Sequence, residues 1–112
     1  MEITSLSAGN VTIVGVTGTI EFGDPTRFAD QFRDLLDQDR RWFVFDLREL
    51  SYIDSTMIAE TVACLKRARE LSGDIKLVAV PHSKVGQILD ITSLHRVLEV
   101  FRTVDEAVNS FV

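Results

Sequence analysis

The sequence predicts an α/β domain on a largely parallel five-stranded sheet, with an N-terminal β-hairpin and about four helices. Three observations carry that expectation. Strand and helix patterns alternate along the chain in the order ββαβαβαβα, which calls for a layered sheet with right-handed crossovers. Two runs, Trp42 to Leu47 and Ile75 to Val80, are apolar almost throughout, as befits strands buried on both faces of a parallel sheet. The first two strand-like segments are joined at Ala8-Gly9-Asn10, a hairpin signal.

Taken in order, Ile3 to Leu6 and Val11 to Val16 place β-branched residues at alternate positions and form the hairpin arms. Asp24-Pro25 reads as an N-cap followed by the proline favoured at the first helical position. Behind it Phe28, Phe32, Leu35 and Leu36 recur at helical spacing, the stripe of a helix lying on a core. After the Trp42–Leu47 strand a helix starts near Ser55, carries Ile58, Val62, Leu65 and Ala68 on one side, and stops at Gly73, read as the C′ residue. Pro81 and Ser83 open a short helix with Val85, Ile88 and Leu89 inward, and Val97 to Phe101 forms the last strand. Thr103-x-x-Glu106 matches a capping box before a closing helix with Ala107, Val108 and Phe111 inside.

At 112 residues the chain makes one domain, long enough to bury roughly 65% of its unfolded surface. With 46% hydrophobic and 26% charged residues the composition is that of an ordinary globular protein. The longest apolar runs are strand-length, so no membrane insertion is expected. Met1 is followed by acidic and polar residues rather than a signal-peptide pattern, and a cytoplasmic location is the expectation. The one cysteine, Cys64, excludes an internal disulfide or a cysteine-based metal cage and reads as a small buried apolar residue. The net charge of −5, with acids concentrated between Glu21 and Asp54, argues against direct nucleic-acid binding, which needs a basic stripe. Lys66-Arg67-x-Arg69 is instead a solvated helix face, and Arg40-Arg41 read as solvated too. An acidic protein of this kind suits a partner with a basic face.

The segment that departs from ordinary packing is Tyr52-Ile-Asp-Ser-Thr-Met-Ile-Ala-Glu60, where an acid and two hydroxyls stand between a strand and a helix. Functional groups of open α/β sheets collect at such carboxyl ends of strands. With Asp54 as N-cap, its carboxylate accepts from the N–H of residue 56 or 57, worth about 1 kcal/mol. Ser55 at the first helical position is then turned outward, as a modifiable hydroxyl. A phosphate there would lie in the positive field of the helix terminus and bring roughly −1.5 to −2 charges beside Asp54 and Glu21. On the chemistry alone, the same three residues read first as a plain helix start with spare hydroxyls.

The stretch FVFDLRELSYIDSTMIAETVACLKRARELSGDIKLVAV resembles the centre of the STAS domain of bacterial anti-sigma factor antagonists: an apolar strand ending in Asp, a link to an Asp-Ser pair, a long helix, a glycine and another apolar strand. VTGTIE resembles that family's second strand and its ending, and ILDITSLHRVLEVFRTVDEAV its C-terminal pattern. The resemblance covers nearly the whole chain. It implies a protein-interaction switch without enzymatic activity or cofactor, one that binds an anti-sigma factor acting as a serine-protein kinase, with a phosphatase as the reversing partner. Carried over, Ser55 is the phosphoacceptor (Thr56 the lesser candidate), Asp54 and Glu21 its surroundings, and Asp54, Ser55, Thr56, Met57 and Glu60 the partner surface. Where the family motif reads Asp-Ser-x-Gly, this chain has Met57, and Ala59 stands two places on. An exposed methionine at a helix start suits a stable apolar contact, so the alternative implied is a constitutive STAS subunit of a lipid-transporter or stress-signalling assembly.

Other classes find less support. No G-x-S-x-G elbow surrounds Ser55, and neither His82 nor His95 is placed beside it by sequence, which argues against a hydrolase. No phosphate-cradling P-loop or G-x-G-x-x-G motif occurs, so no nucleotide is implied.

Overall fold

The computed structural model describes residues 1–111. Its hairpin comprises β1 (Glu2–Ala8) and β2 (Val11–Thr17), antiparallel and joined by the Gly9-Asn10 turn, with Ala8 paired to Val11. Gly9 has a φ of 62° while Asn10 stays at negative φ, the pattern of a turn that takes glycine at its first central position. The chain continues through α1 (Asp24–Asp37), β3 (Trp42–Asp46), α2 (Ser55–Glu70), β4 (Asp74–Val78), α3 (Lys84–Ile91), β5 (Val100–Phe101) and α4 (Val104–Asn109). The sheet order is β1-β2-β3-β4-β5, and every pairing after the hairpin is parallel.

Because each crossover joins neighbouring strands in the same direction, right-handedness puts α1, α2 and α3 on one face. There Phe28 and Phe32 of α1 meet Phe45 and Phe43 of β3, with ring centroids 5.1 Å and 4.7 Å apart. Cys64, Leu65 and Ala68 of α2 and Leu89 of α3 complete that core. The opposite face is covered by α4, whose Ala107 packs with Val11, Val44 and Val78. Lys76, on that second face, is held under α4 by a bond to the Ser110 Oγ, 2.7 Å from its Nζ, and by the Phe111 ring 4.4 Å away.

Several local expectations shift. The cap of α1 is Gly23, at a φ of 88°, not Asp24; the Asp24 carboxylate is drawn to Arg27 (2.9 Å) and the Glu21 N–H (2.7 Å) instead. At the end of α2 the left-handed residue is Ser72, with a φ of 67°, and Gly73 follows it. The Gly73 and Ser72 N–H groups donate to Ala68 (2.8 Å) and Arg69 (3.0 Å), the double bond pattern of a Schellman motif. Gly73 is required for a different reason: a Cβ there would stand 2.1 Å from the Arg41 carbonyl oxygen. The last strand shortens to Val100–Phe101, since a 3-10 turn at Leu94–Arg96 takes up the approach. Arg40 and Arg41 are not free in solvent: Arg40 donates to the Gly9 carbonyl (3.0 Å) and Arg41 to that of Leu36 (2.9 Å).

Candidate functional site

The Asp54-Ser55-Thr56 corner is held by two loops bonded to each other. The β2–α1 loop and the β3–α2 loop meet through Gly18 N–H to the Glu49 carbonyl (3.0 Å), Ser51 N–H to the Gly18 carbonyl (2.9 Å), and the Tyr52 hydroxyl to the Ile20 carbonyl (3.2 Å). Ile20, Leu50 and Ile53 are buried beneath them. Polar bonds above and apolar anchors below therefore fix where the second loop hands over to α2.

Asp54 is the N-cap of α2, as its place in the sequence predicts. Its backbone is extended (φ −100°, ψ 174°) and its Oδ1 accepts from the Met57 N–H at 2.8 Å. The N–H groups of Ser55 and Thr56, in the first turn, have no partner within the helix. Both side chains are exposed, whereas Ile53 before them and Met57 after them are buried. Helical geometry explains the alternation: with Met57 turned to the sheet, the two positions before it face solvent.

Met57 is the correction here. Expected as an exposed apolar contact for a partner, it has 0% of its surface accessible and belongs to the main core. The buried stripe of α2 runs through Met57, Thr61, Cys64, Leu65 and Ala68, leaving Ile58 and Val62 at its half-buried border. Thr61 joins the stripe because its hydroxyl donates to the Met57 carbonyl at 2.8 Å, which leaves no polar atom unsatisfied.

Glu21 and Asp54, far apart in sequence, line one cleft of about 400 Å³ with Ile20, Phe22, Pro25 and Thr56. Ser55 sits at the helix start beside that cleft rather than among its lining residues. Glu60 is not part of this group; its carboxylate accepts from Arg67 at 3.2 Å, farther along the helix. Phe22 was not foreseen. It is fully exposed at 108% relative accessibility, an aromatic ring standing in solvent between Glu21 and the left-handed Gly23. An aromatic outside the α1 stripe, in a loop with turn residues around it, is the sequence signal that marks it.

Asp24 pins the first loop. Its bond from Arg27, followed by that from the Glu21 N–H, lowers its pKa from 3.8 to about 2. A carboxyl depressed in the folded state stabilises the protein fully above its unfolded pKa and loses that contribution as pH falls through the folded value. We expect the urea midpoint of the native chain to drop more steeply between pH 4 and 2 than that of an Asp24→Asn variant. Parallel midpoint curves for the two proteins would show that Asp24 carries no such linkage. His82 and His95 are exposed and outside the cleft, and no group of metal-ligating side chains occurs among the described residues. No helix among them is long and apolar enough to cross a membrane.

A family model for the STAS domain matches residues 3–107. Among solved structures, a putative anti-sigma factor antagonist from Thermotoga maritima superposes with a TM-score of 0.86 at 23% identity, over 96% of this chain and 92% of that one. An anti-sigma factor antagonist from Mycobacterium paratuberculosis superposes at 0.82 with 20% identity, over 97% and 93%. The Bacillus cell fate determinant SpoIIAA, in its phosphorylated form, does so at 0.76 with 12% identity, over 99% and 100%.

Proposed function

The chain belongs to the STAS domain family, and we propose that it works as an anti-sigma factor antagonist, a binding switch turned off by phosphorylation of Ser55. Its partners in this reading are an anti-sigma factor with serine-kinase activity and a phosphatase that restores the free hydroxyl. One observation carries the proposal. Ser55 is an exposed hydroxyl at the first turn of α2, beside unpaired helix N–H groups and a cleft bearing Glu21 and Asp54. Buried neighbours on either side hold it there, so a phosphate can be added without disturbing packing. The positive end of the helix stabilises the new anion within the protein, while the nearby carboxylates turn the same surface sharply more negative. A solved phosphorylated SpoIIAA of the same fold supports this reading. Phe22, beside Glu21 and the cleft, supplies the aromatic anchor that binding surfaces commonly place near their centre.

The alternative of a constitutive assembly subunit drew on an exposed Met57, and burial of that side chain removes the observation in its favour. The test is direct. Incubated with its cognate kinase and ATP, the protein takes one phosphate, located on Ser55 by mass spectrometry, and the Ser55→Ala variant takes none. Labelling of Ser55→Ala to the level of the native protein would falsify the assignment; phosphate on Thr56 would move it by one residue.

A further inference from the structure

We propose that the open edge of β1 is an interface with a second copy of this chain, the two β1 strands pairing antiparallel about a two-fold axis at Ser5. This rests on the fold alone and is independent of the phosphorylation reading. β1 is an outermost strand of the sheet, seven residues long, and exposed from Thr4 to Ser7. A two-residue turn closes on a bonded pair, here Ala8 with Val11, and bonded pairs then alternate along an antiparallel ladder. Leu6 and Thr4 therefore spend their backbone groups on β2, while those of Ile3, Ser5 and Ser7 point outward without a partner in the sheet.

Exposed edges of this kind are ordinarily blunted by proline, lysine, a bulge or a covering helix. β1 has no proline, lysine or bulge, and its one charge is Glu2 at the start. α1 packs over β3 and leaves a cleft of about 180 Å³ between itself and the strand, lined by Ile3, Ser5, Phe32 and Leu35.

A second copy fits this edge without conflict of charge or register. Pairing Ser5 with Ser5 sets Ile3 opposite Ser7, Thr4 opposite Leu6 and Glu2 opposite Ala8, so the two glutamates lie at opposite ends. The outward groups of residues 3, 5 and 7 are then all bonded, about six hydrogen bonds in total. Leu6, now 68% exposed, comes against the second copy's Thr4 and within diagonal reach of its Leu6. Each Ile3 lands beside Ser7 on the α1 side, next to the cleft.

Sedimentation of the intact chain at high micromolar concentration tests the proposal. The expected mass is twice 12.6 kDa, falling to the single value on dilution. Ser5→Lys sets like charges directly across the axis and is expected to raise the dimer dissociation constant at least about ten-fold with an unchanged circular dichroism spectrum. Ser5→Cys is expected to give a disulfide-linked dimer under mild oxidation. Cys64 does not compete, because it is buried and burial pushes its thiol up to about 12. A native chain that stays monomeric, a dimer indifferent to Ser5→Lys, or a Ser5→Cys protein that does not cross-link would each overturn it.

Discussion

Phosphorylation of Ser55 is expected to weaken binding of the anti-sigma partner about a hundred-fold or more, roughly 2.7 kcal/mol. The reason is placement. The phosphate adds roughly −1.5 to −2 charges at the one exposed corner where Asp54 and Glu21 already line a cleft. An acidic surface that attracts a basic partner does not simply gain from more charge, because the partner's groups are arranged for a hydroxyl, and any acid facing Ser55 is now repelled. Like-charge juxtaposition across an interface costs several kcal/mol. Ser55→Asp carries a single charge and is expected to show about a ten-fold loss, or roughly 1.4 kcal/mol. Stability should move little in either form, or rise by about 0.3–1 kcal/mol, since the added anion lies at a helix N-terminus. Calorimetric titration of the three forms against the partner, with thermal melts alongside, separates the two quantities. Equal affinities would remove the switch; weaker affinity accompanied by a collapsed melting temperature would assign the effect to unfolding instead.

The second large effect is expected at Met57. Replacing it by glycine, the residue that the family motif carries there, should destabilise the domain by about 3–6 kcal/mol. Truncating a fully buried methionine costs about 2–5 kcal/mol through lost transfer energy and the cavity left behind. Glycine inside a helix adds about 1 kcal/mol more. Against a total stability of about 5–15 kcal/mol for a domain, that is a severe loss. Met57→Leu keeps the volume and should cost less than about 1.5 kcal/mol. Urea unfolding distinguishes the pair: a Met57→Gly midpoint close to the native one would mean that the side chain is not part of the core. The contrast also sharpens the site. In this chain the methionine turns inward and its burial holds Ser55 and Thr56 outward, so the departure from the motif is absorbed by the core rather than presented to a partner.

The Asp54 cap was legible because capping is local: an acid three residues before the N–H it accepts from, between a strand and a helix, allows few other geometries. The Schellman end of α2 was half legible, since the glycine announced a helix end but its necessity came from the Arg41 carbonyl on another element. The one-residue rotation of the α2 stripe was hidden for the same kind of reason. Ile58 and Val62 are as apolar as Met57 and Cys64, and only the angle at which α2 settles on the sheet chooses between them. Thr61, polar by type, entered the core because its own helix supplied an acceptor.

By itself the sequence determined the α/β class, the hairpin, the order of elements and the helix start at Asp54, all of which follow from short-range periodicity and turn chemistry. Tertiary structure alone decided that Glu21 and Asp54 share a cleft, that Phe22 stands in solvent while Met57 does not, and that β1 keeps an open edge. Those outcomes depend on which surfaces meet across the sheet, and contacts between residues distant in the chain leave no period in it.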